Sequence, residues 1–79
     1  SNLGISIEEL NGFYVSFVRF NSLGFELGLK NGDIIKSING IEIKTSRDYY
    51  NAIYTSLADA SIEVIRNGEI LTLTGVVND

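Results

Sequence analysis

Asn-Gly occurs four times in 79 residues, at Asn11-Gly12, Asn31-Gly32, Asn39-Gly40 and Asn67-Gly68. Both residues tolerate positive φ, so the pair suits the tight type I′ turn that reverses a β-hairpin. Between these marks lie short runs rich in Ile, Val, Phe and Tyr. Ile5 to Glu8 reads as a strand that turns at Asn11-Gly12. Phe13 to Phe20 reads as its partner, with Phe13, Val15 and Phe17 expected on one face. Asp33–Ile38 and Ile41–Ile43 form a predicted hairpin about Asn39-Gly40, and Ser61–Arg66 and Glu69–Thr74 another about Asn67-Gly68. In the last strand Ile70, Thr72 and Thr74 alternate with Leu71 and Leu73.

Two stretches depart from this rhythm. Ser22 to Leu27 is short and meets Gly28, which predicts a single helical turn with a glycine stop. Thr45 to Leu57 has helical spacing, with Ser46 as the expected N-cap and Asp48 in the first turn. Tyr50, Ile53, Tyr54 and Leu57 fall at i, i+3, i+4 and i+7 and form the predicted apolar stripe. The element order is then β-β-α-β-β-α-β-β. Strands this short must close around the helix to bury a core. The expected fold is mainly β with two helices, a partly open antiparallel β-barrel or sandwich, in one domain spanning residues 1–79.

Composition narrows the chemistry. There is no Cys and no His, which removes disulfides, thiol nucleophiles, the usual general base and the commonest metal ligand. Glu8 and Glu9 are adjacent, so on a strand they point to opposite faces and make no acid/base pair. Six Lys and Arg stand against ten Asp and Glu, a net charge of −4. The cations are scattered singly, so no basic patch is offered to nucleic acid. No apolar run approaches the roughly 20 residues of a membrane helix. The expectation is a module without catalytic residues, metal or cofactor, monomeric in isolation.

One segment carries a family resemblance. Gly28-Leu29-Lys30-Asn31-Gly32-Asp33-Ile34-Ile35-Lys36-Ser37-Ile38-Asn39-Gly40 resembles the G-L-x-x-G-D-x-I-x-x-I-N-G core of PDZ domains. Asn2-Leu3-Gly4-Ile5-Ser6-Ile7 is similar to that family's carboxylate-binding loop and the strand after it. The loop opens with Asn2 where the family's pattern has glycine. The strand order resembles the bacterial arrangement of HtrA-type proteases, site-2-type proteases and the type II secretion C component, in which the C-terminus contributes the final strand.

The resemblance implies a binding site. A partner's C-terminal or extended segment would add as an antiparallel strand against Ile5–Ile7, beside the second helix. The backbone N–H groups of Leu3, Gly4 and Ile5 would cradle the terminal carboxylate, with Gly4 required because a side chain would crowd the turn. The groove would be lined by Ser6, Ile7, Arg47, Tyr50, Asn51 and Tyr54, and Leu3, Ile5, Ile7 and Tyr54 would hold the last side chain. Arg47 either favours an acidic or carbonyl-rich partner or is only solvated. The resemblance further implies a periplasmic or envelope-facing segment of a longer bacterial protein, serving a protease. The alternative reading is an assembly or recruitment domain of a type II secretion C-type component.

The turn assignment yields a direct test. Gly40→Val forces a β-branched residue into the left-handed region at a cost of about 1–2 kcal/mol. For a domain this small that lowers Tm by roughly 4–16 °C, read by thermal denaturation.

Overall fold

The structure, a computed structural model, describes residues 3–9, 12–54 and 59–76. Six strands and two helices follow the predicted order: β1 (Ile5–Glu9), β2 (Phe13–Val18), α1 (Leu23–Leu27), β3 (Ile34–Ile38), β4 (Ile41–Glu42), α2 (Ser46–Tyr54), β5 (Asp59–Arg66) and β6 (Glu69–Val76). The strands form one antiparallel sheet of order β1-β2-β3-β5-β6, with β4 paired to β3. The first half of β3 pairs with β2 at Ile34 and Ile35, and its second half pairs with β4 at Ser37 and Ile38. β5 runs along the other edge of β3, with a register shift between Ile35 and Ser37. Changing partners midway bends the sheet around a core without closing it, so β1 and β6 remain edge strands.

Two of the four Asn-Gly pairs make the expected hairpin turns. Asn39 and Gly40 have φ of 50° and 80°, and Asn67 and Gly68 have 53° and 79°. At Asn31-Gly32 only the glycine is left-handed, with φ 100°. There the amide of Gly32 donates to the Val15 carbonyl at 2.8 Å, so the pair steers the chain into β3 instead of reversing a hairpin. Asn11 lies outside the described residues.

The β1–β2 pair departs from the expected pattern. Phe13 and Val15 are buried, but Phe17 is 56% exposed. The cause is a bulge. Glu9, Glu8 and Ile7 pair in step with Phe13, Tyr14 and Val15, whereas Ser6 pairs with Phe17 and Ile5 with Val18. The extra residue, Ser16, shifts the alternation by one position, because one added residue sends each later side chain to the opposite face. Val18 therefore packs against the core in place of Phe17. Strand β2 also ends at Val18, short of the expected Phe20.

The core joins Leu3, Phe13, Val15, Leu27, Leu29, Ile35, Ile38, Ile43, Tyr49, Ala52, Ala60, Ile62 and Val64. Its polar hinge is Asp33, 1% exposed. The Asp33 carboxylate accepts from the Lys30 amide at 2.9 Å and takes a two-pronged bond from Arg66, Nε to Oδ1 at 2.8 Å and Nη2 to Oδ2 at 2.7 Å. Arg66 Nη2 also donates to the carbonyl of Gly28, the left-handed cap that ends α1. The Gly-Leu-x-x-Gly-Asp segment thus ties the end of α1 and the start of β3 to the end of β5.

Removing one partner of a buried ion pair strands the other, at a cost of about 3–5 kcal/mol. Asp33→Ala should cost that much in urea denaturation. The double variant Asp33→Leu/Arg66→Met should cost less than the sum of the single changes, because neither charge is then left unpaired.

Candidate functional site

The site begins in the loop before β1. Gly4 has φ +72°, and a Cβ there would collide with the Ser22 side chain. Both facts require glycine, as the crowding argument expected. A valine at Gly4 would also disturb Ser22, which caps α1 by accepting from the Phe25 amide at 3.2 Å. The loop is seated by its carbonyls: Leu3 O accepts from Gly24 N at 2.7 Å and Gly4 O from Arg19 N at 2.8 Å. Gly24 permits the approach, since a Cβ there would stand 2.7 Å from the Ile5 side chain. Leu3 is 1% exposed, and its side chain packs in the core.

Alternation then sorts β1. Ile5 and Ile7 are half-buried and pack on the core, whereas Ser6 is exposed on the outer face. Ser6 was expected to line the groove beside α2, but α2 lies on the inner side, where Tyr49 stacks on Phe13 at 6.4 Å. The Ser6 carbonyl accepts from Ser16 Oγ at 3.3 Å and so faces β2. Backbone groups of successive strand residues point to opposite edges, so those of Ile5 and Ile7 face away from β2. Among the described residues β1 pairs with β2 alone, and that outer edge is unpaired.

Helix α2 is tied to the end of β1 through its first turn. The cap is Thr45 rather than Ser46: Asp48 N donates to Thr45 Oγ1 at 3.2 Å, and Thr45 N returns a bond to Asp48 Oδ2 at 3.1 Å. This reciprocal box frees Ser46, whose hydroxyl donates to Glu9 Oε2 at 3.5 Å and links the helix to the end of β1. The Lys44 amide, with further bonds from Thr45, holds the Asp48 carboxyl below its ordinary pKa.

The buried face of α2 is also not the predicted one. Tyr49 and Ala52 are buried and Ile53 is half-buried, while Tyr50 and Tyr54 are 54% and 85% exposed. Ala52 allows close approach, and Tyr49 offers a flat ring to Phe13, so these two displace the larger side chains that hydropathy favoured. Leu57 lies outside the described residues. Arg47, Tyr50, Asn51 and Tyr54 consequently share one exposed stripe, at i, i+3, i+4 and i+7. The half-buried Ile53 and the β1 residues Ile5 and Ile7 pack on the rim of one core.

One residue near the loop escaped the sequence reading. Arg19 is exposed, and its Nη2 lies 3.5 Å from the position a Cβ on Gly4 would take. The ion pairs among the described residues are Lys44–Glu42 and Arg66–Asp33, neither of which uses Arg19. Strand pairing read without the bulge would have set Gly4 against Val18 and missed this cation. The described residues contain no cluster of His, Cys, Asp or Glu suited to a metal and no helix long and apolar enough to cross a membrane.

This geometry has counterparts. A family model described as the PDZ domain matches residues 1–76. The chain is a PDZ domain. It is 31% identical over 81 residues to the serine protease Do-like HtrB of Bacillus subtilis (strain 168), covering 98% of this chain but only 18% of that protein. The crystal structure of the HtrA3 PDZ domain bound to the phage-derived ligand FGRWV superposes with a TM-score of 0.80 at 27% identity, covering 95% of this chain and 82% of that one. The PDZ domain of EpsC from Vibrio cholerae shares the fold, with a TM-score of 0.64 at 22% identity over 92% of this chain and 75% of that one. As a PDZ domain the chain is a peptide-binding module rather than an enzyme.

Burial leaves a spectroscopic mark on the α2 core contact. It raises the Tyr49 hydroxyl from 10.0 to about 12, with the neighbouring Tyr50 adding to the effect. A raised folded pKa contributes stability that is present below pH 10 and lost as pH rises toward 12. Ultraviolet titration should show a late phenolate step near pH 12 that Tyr49→Phe abolishes.

Proposed function

We propose that this PDZ domain captures the C-terminus of a partner protein as an added strand on the outer edge of β1. The observation that carries the reading is the unpaired β1 edge leading directly out of the glycine loop seated on α1. An antiparallel peptide would bond to the outward backbone groups of Ile5 and Ile7. Its carboxylate would end at the Leu3–Gly4–Ile5 loop, with Arg19 supplying the counter-charge. An apolar last side chain would sit over Ile5, Ile7 and Ile53, and Tyr54 would cover it from the helix. Arg47 and Asn51 would face residues further from the end.

Burying such a side chain contributes about 1.5–3 kcal/mol, and each hydrogen bond to the charged end about as much. Ordering the peptide offsets much of this, so affinity should be micromolar, about −8 kcal/mol. That the HtrA3 PDZ domain binds a short phage-derived ligand supports peptide binding here. The likeness to HtrB supports a parent that is an HtrA-type, envelope-facing protease with its catalytic groups in another domain. EpsC supports the fold alone, so the secretion-component role is the weaker reading.

An NMR titration with short apolar-ended peptides, acid and amide forms in parallel, tests this. Acid peptides should shift the amides of Leu3 to Ile7, and amidation should weaken binding about tenfold or more. Tyr54→Ala should weaken peptides with an apolar last residue most. If amides bind as well as acids, or no peptide moves these resonances, the proposal fails.

A further inference from the structure

The sheet has a second open edge, built differently from the first. Among the described residues β6 pairs with β5 alone. Strand β6 has eight residues, Glu69–Val76, against five in β1. Its ladder with β5 runs without a bulge. It carries no Lys and no Pro, and its one charge, Glu69, stands at its first position. Edge strands are ordinarily blunted by shortness, charge, proline or a bulge. We infer that the β6 edge is an interface with a second copy of this chain, joined antiparallel about a two-fold axis at Thr72.

The backbone sets the register. Asn67-Gly68 is a two-residue turn, so the flanking Arg66 and Glu69 form a hydrogen-bonded pair. Bonding alternates along an antiparallel ladder. The groups of Leu71 and Leu73 therefore point to β5, and those of Ile70, Thr72 and Thr74 point outward. The same three residues are exposed, whereas Leu71 and Leu73 are half-buried against the core. A two-fold at Thr72 sets Ile70 opposite the partner's Thr74 and Thr72 opposite its own copy. Every outward N–H and C=O of the three residues then finds a partner.

The side chains agree with this register. Threonines meet at the axis and Ile meets Thr on either side, β-branched pairs that suit a sheet. On the inner face Leu71 meets the partner's Leu73. Glu69 faces the partner's Gly75, so no like charges stand opposed. The two Glu69 carboxylates lie about 20 Å apart along the strands, where salt screens them. The outer face adds a further reason. Tyr14, Ile34, Ile65 and Ile70 pair successively across β2, β3, β5 and β6 and form one apolar row. The row ends at Ile70, 64% exposed at the open edge. The partner strand shields that flank. Each copy contributes one β6, so the contact is isologous and closes at two chains. It leaves the β1 edge free at the opposite end of the sheet. The monomer expected from the sequence then holds at low concentration, because one strand pair is a small interface.

Sedimentation equilibrium on the 79-residue chain, Thr72→Lys and Thr72→Pro, from micromolar to millimolar concentration, tests this, with amide NMR spectra over the same range. The Thr72 N–H takes no part in the β5 ladder, so both variants keep the hairpin, which thermal melts verify. The wild-type mass should rise from 8.7 kDa toward twice that value. The concentration-dependent shifts should centre on the amides of Ile70, Thr72 and Thr74. Thr72→Lys opposes two like charges at the axis, and Thr72→Pro removes the central N–H. Each should weaken association about tenfold or more. A wild-type chain that stays at 8.7 kDa at millimolar concentration overturns the proposal. So does a dimer that either variant retains at wild-type strength, or one whose shifts fall on Ile5 and Ile7 and so map the contact to β1.

Discussion

The buried pair between Asp33 and Arg66 holds three parts of the chain in one place. Asp33 opens β3, Arg66 closes β5, and the same guanidinium secures the carbonyl of Gly28 at the end of α1. The side chains are 1% and 23% exposed, so water competes weakly on the carboxylate side. The Asp33 carboxylate raises the Arg66 pKa above its usual value, and the cation is present at every working pH. Such a pair is poor evidence of net stability, since a well-packed apolar replacement can do as well. Its effect is geometric. By fixing the end of α1 it fixes the short helix on which the Leu3–Ile5 loop rests.

From that support the site is assembled by backbone contacts. Gly24 lets the loop approach α1, Gly4 lets it pass Ser22, and the carbonyls of Leu3 and Gly4 are both taken by neighbouring amides. Among the described residues, the β1 strand leaves this loop with one edge paired to β2 and the other unpaired. The α2 helix is joined to the opposite end of β1 through Ser46 and Glu9. At about 13 Å each, the five residues of β1 and the nine of α2 are matched in length. An edge strand left open beside a helix is normally a liability for aggregation. Here the edge is short and ends in the charged pair Glu8 and Glu9, both of which limit that hazard.

The bulge at Ser16 shows how one residue redistributes roles. It exchanges Phe17 for Val18 in the core, sets Arg19 beside Gly4 and leaves an aromatic ring on the outer face. A smaller β-branched side chain suits the crowded inner position. The Ser16 hydroxyl satisfies the Ser6 carbonyl, which compensates for the irregular ladder.

Element order, the hairpin turns at Asn39-Gly40 and Asn67-Gly68, the glycine stop of α1 and the Gly28–Asp33 motif were all legible in the sequence. Each depends on local conformational preference: positive φ for Asn and Gly, alternation along a strand, a cap within one turn. The need for glycine at position 4 was implied by the family resemblance, whereas the partner that enforces it, Ser22, is set by the tertiary fold. Tertiary structure decided the rest. It set which face of α2 is buried, because the match of Tyr49 to Phe13 is a contact between distant segments that hydropathy does not encode. It chose Thr45 over Ser46 as the cap because Asp48 can reciprocate only from three residues on. It consigned the Leu3 side chain to the core, turned Ser6 and Phe17 outward, and brought Arg19 to the loop. The positions of Phe17 and Arg19 follow from a one-residue slip in strand pairing, and a slip has no local signature: its energy lies in how two strands, a helix and a core fit together.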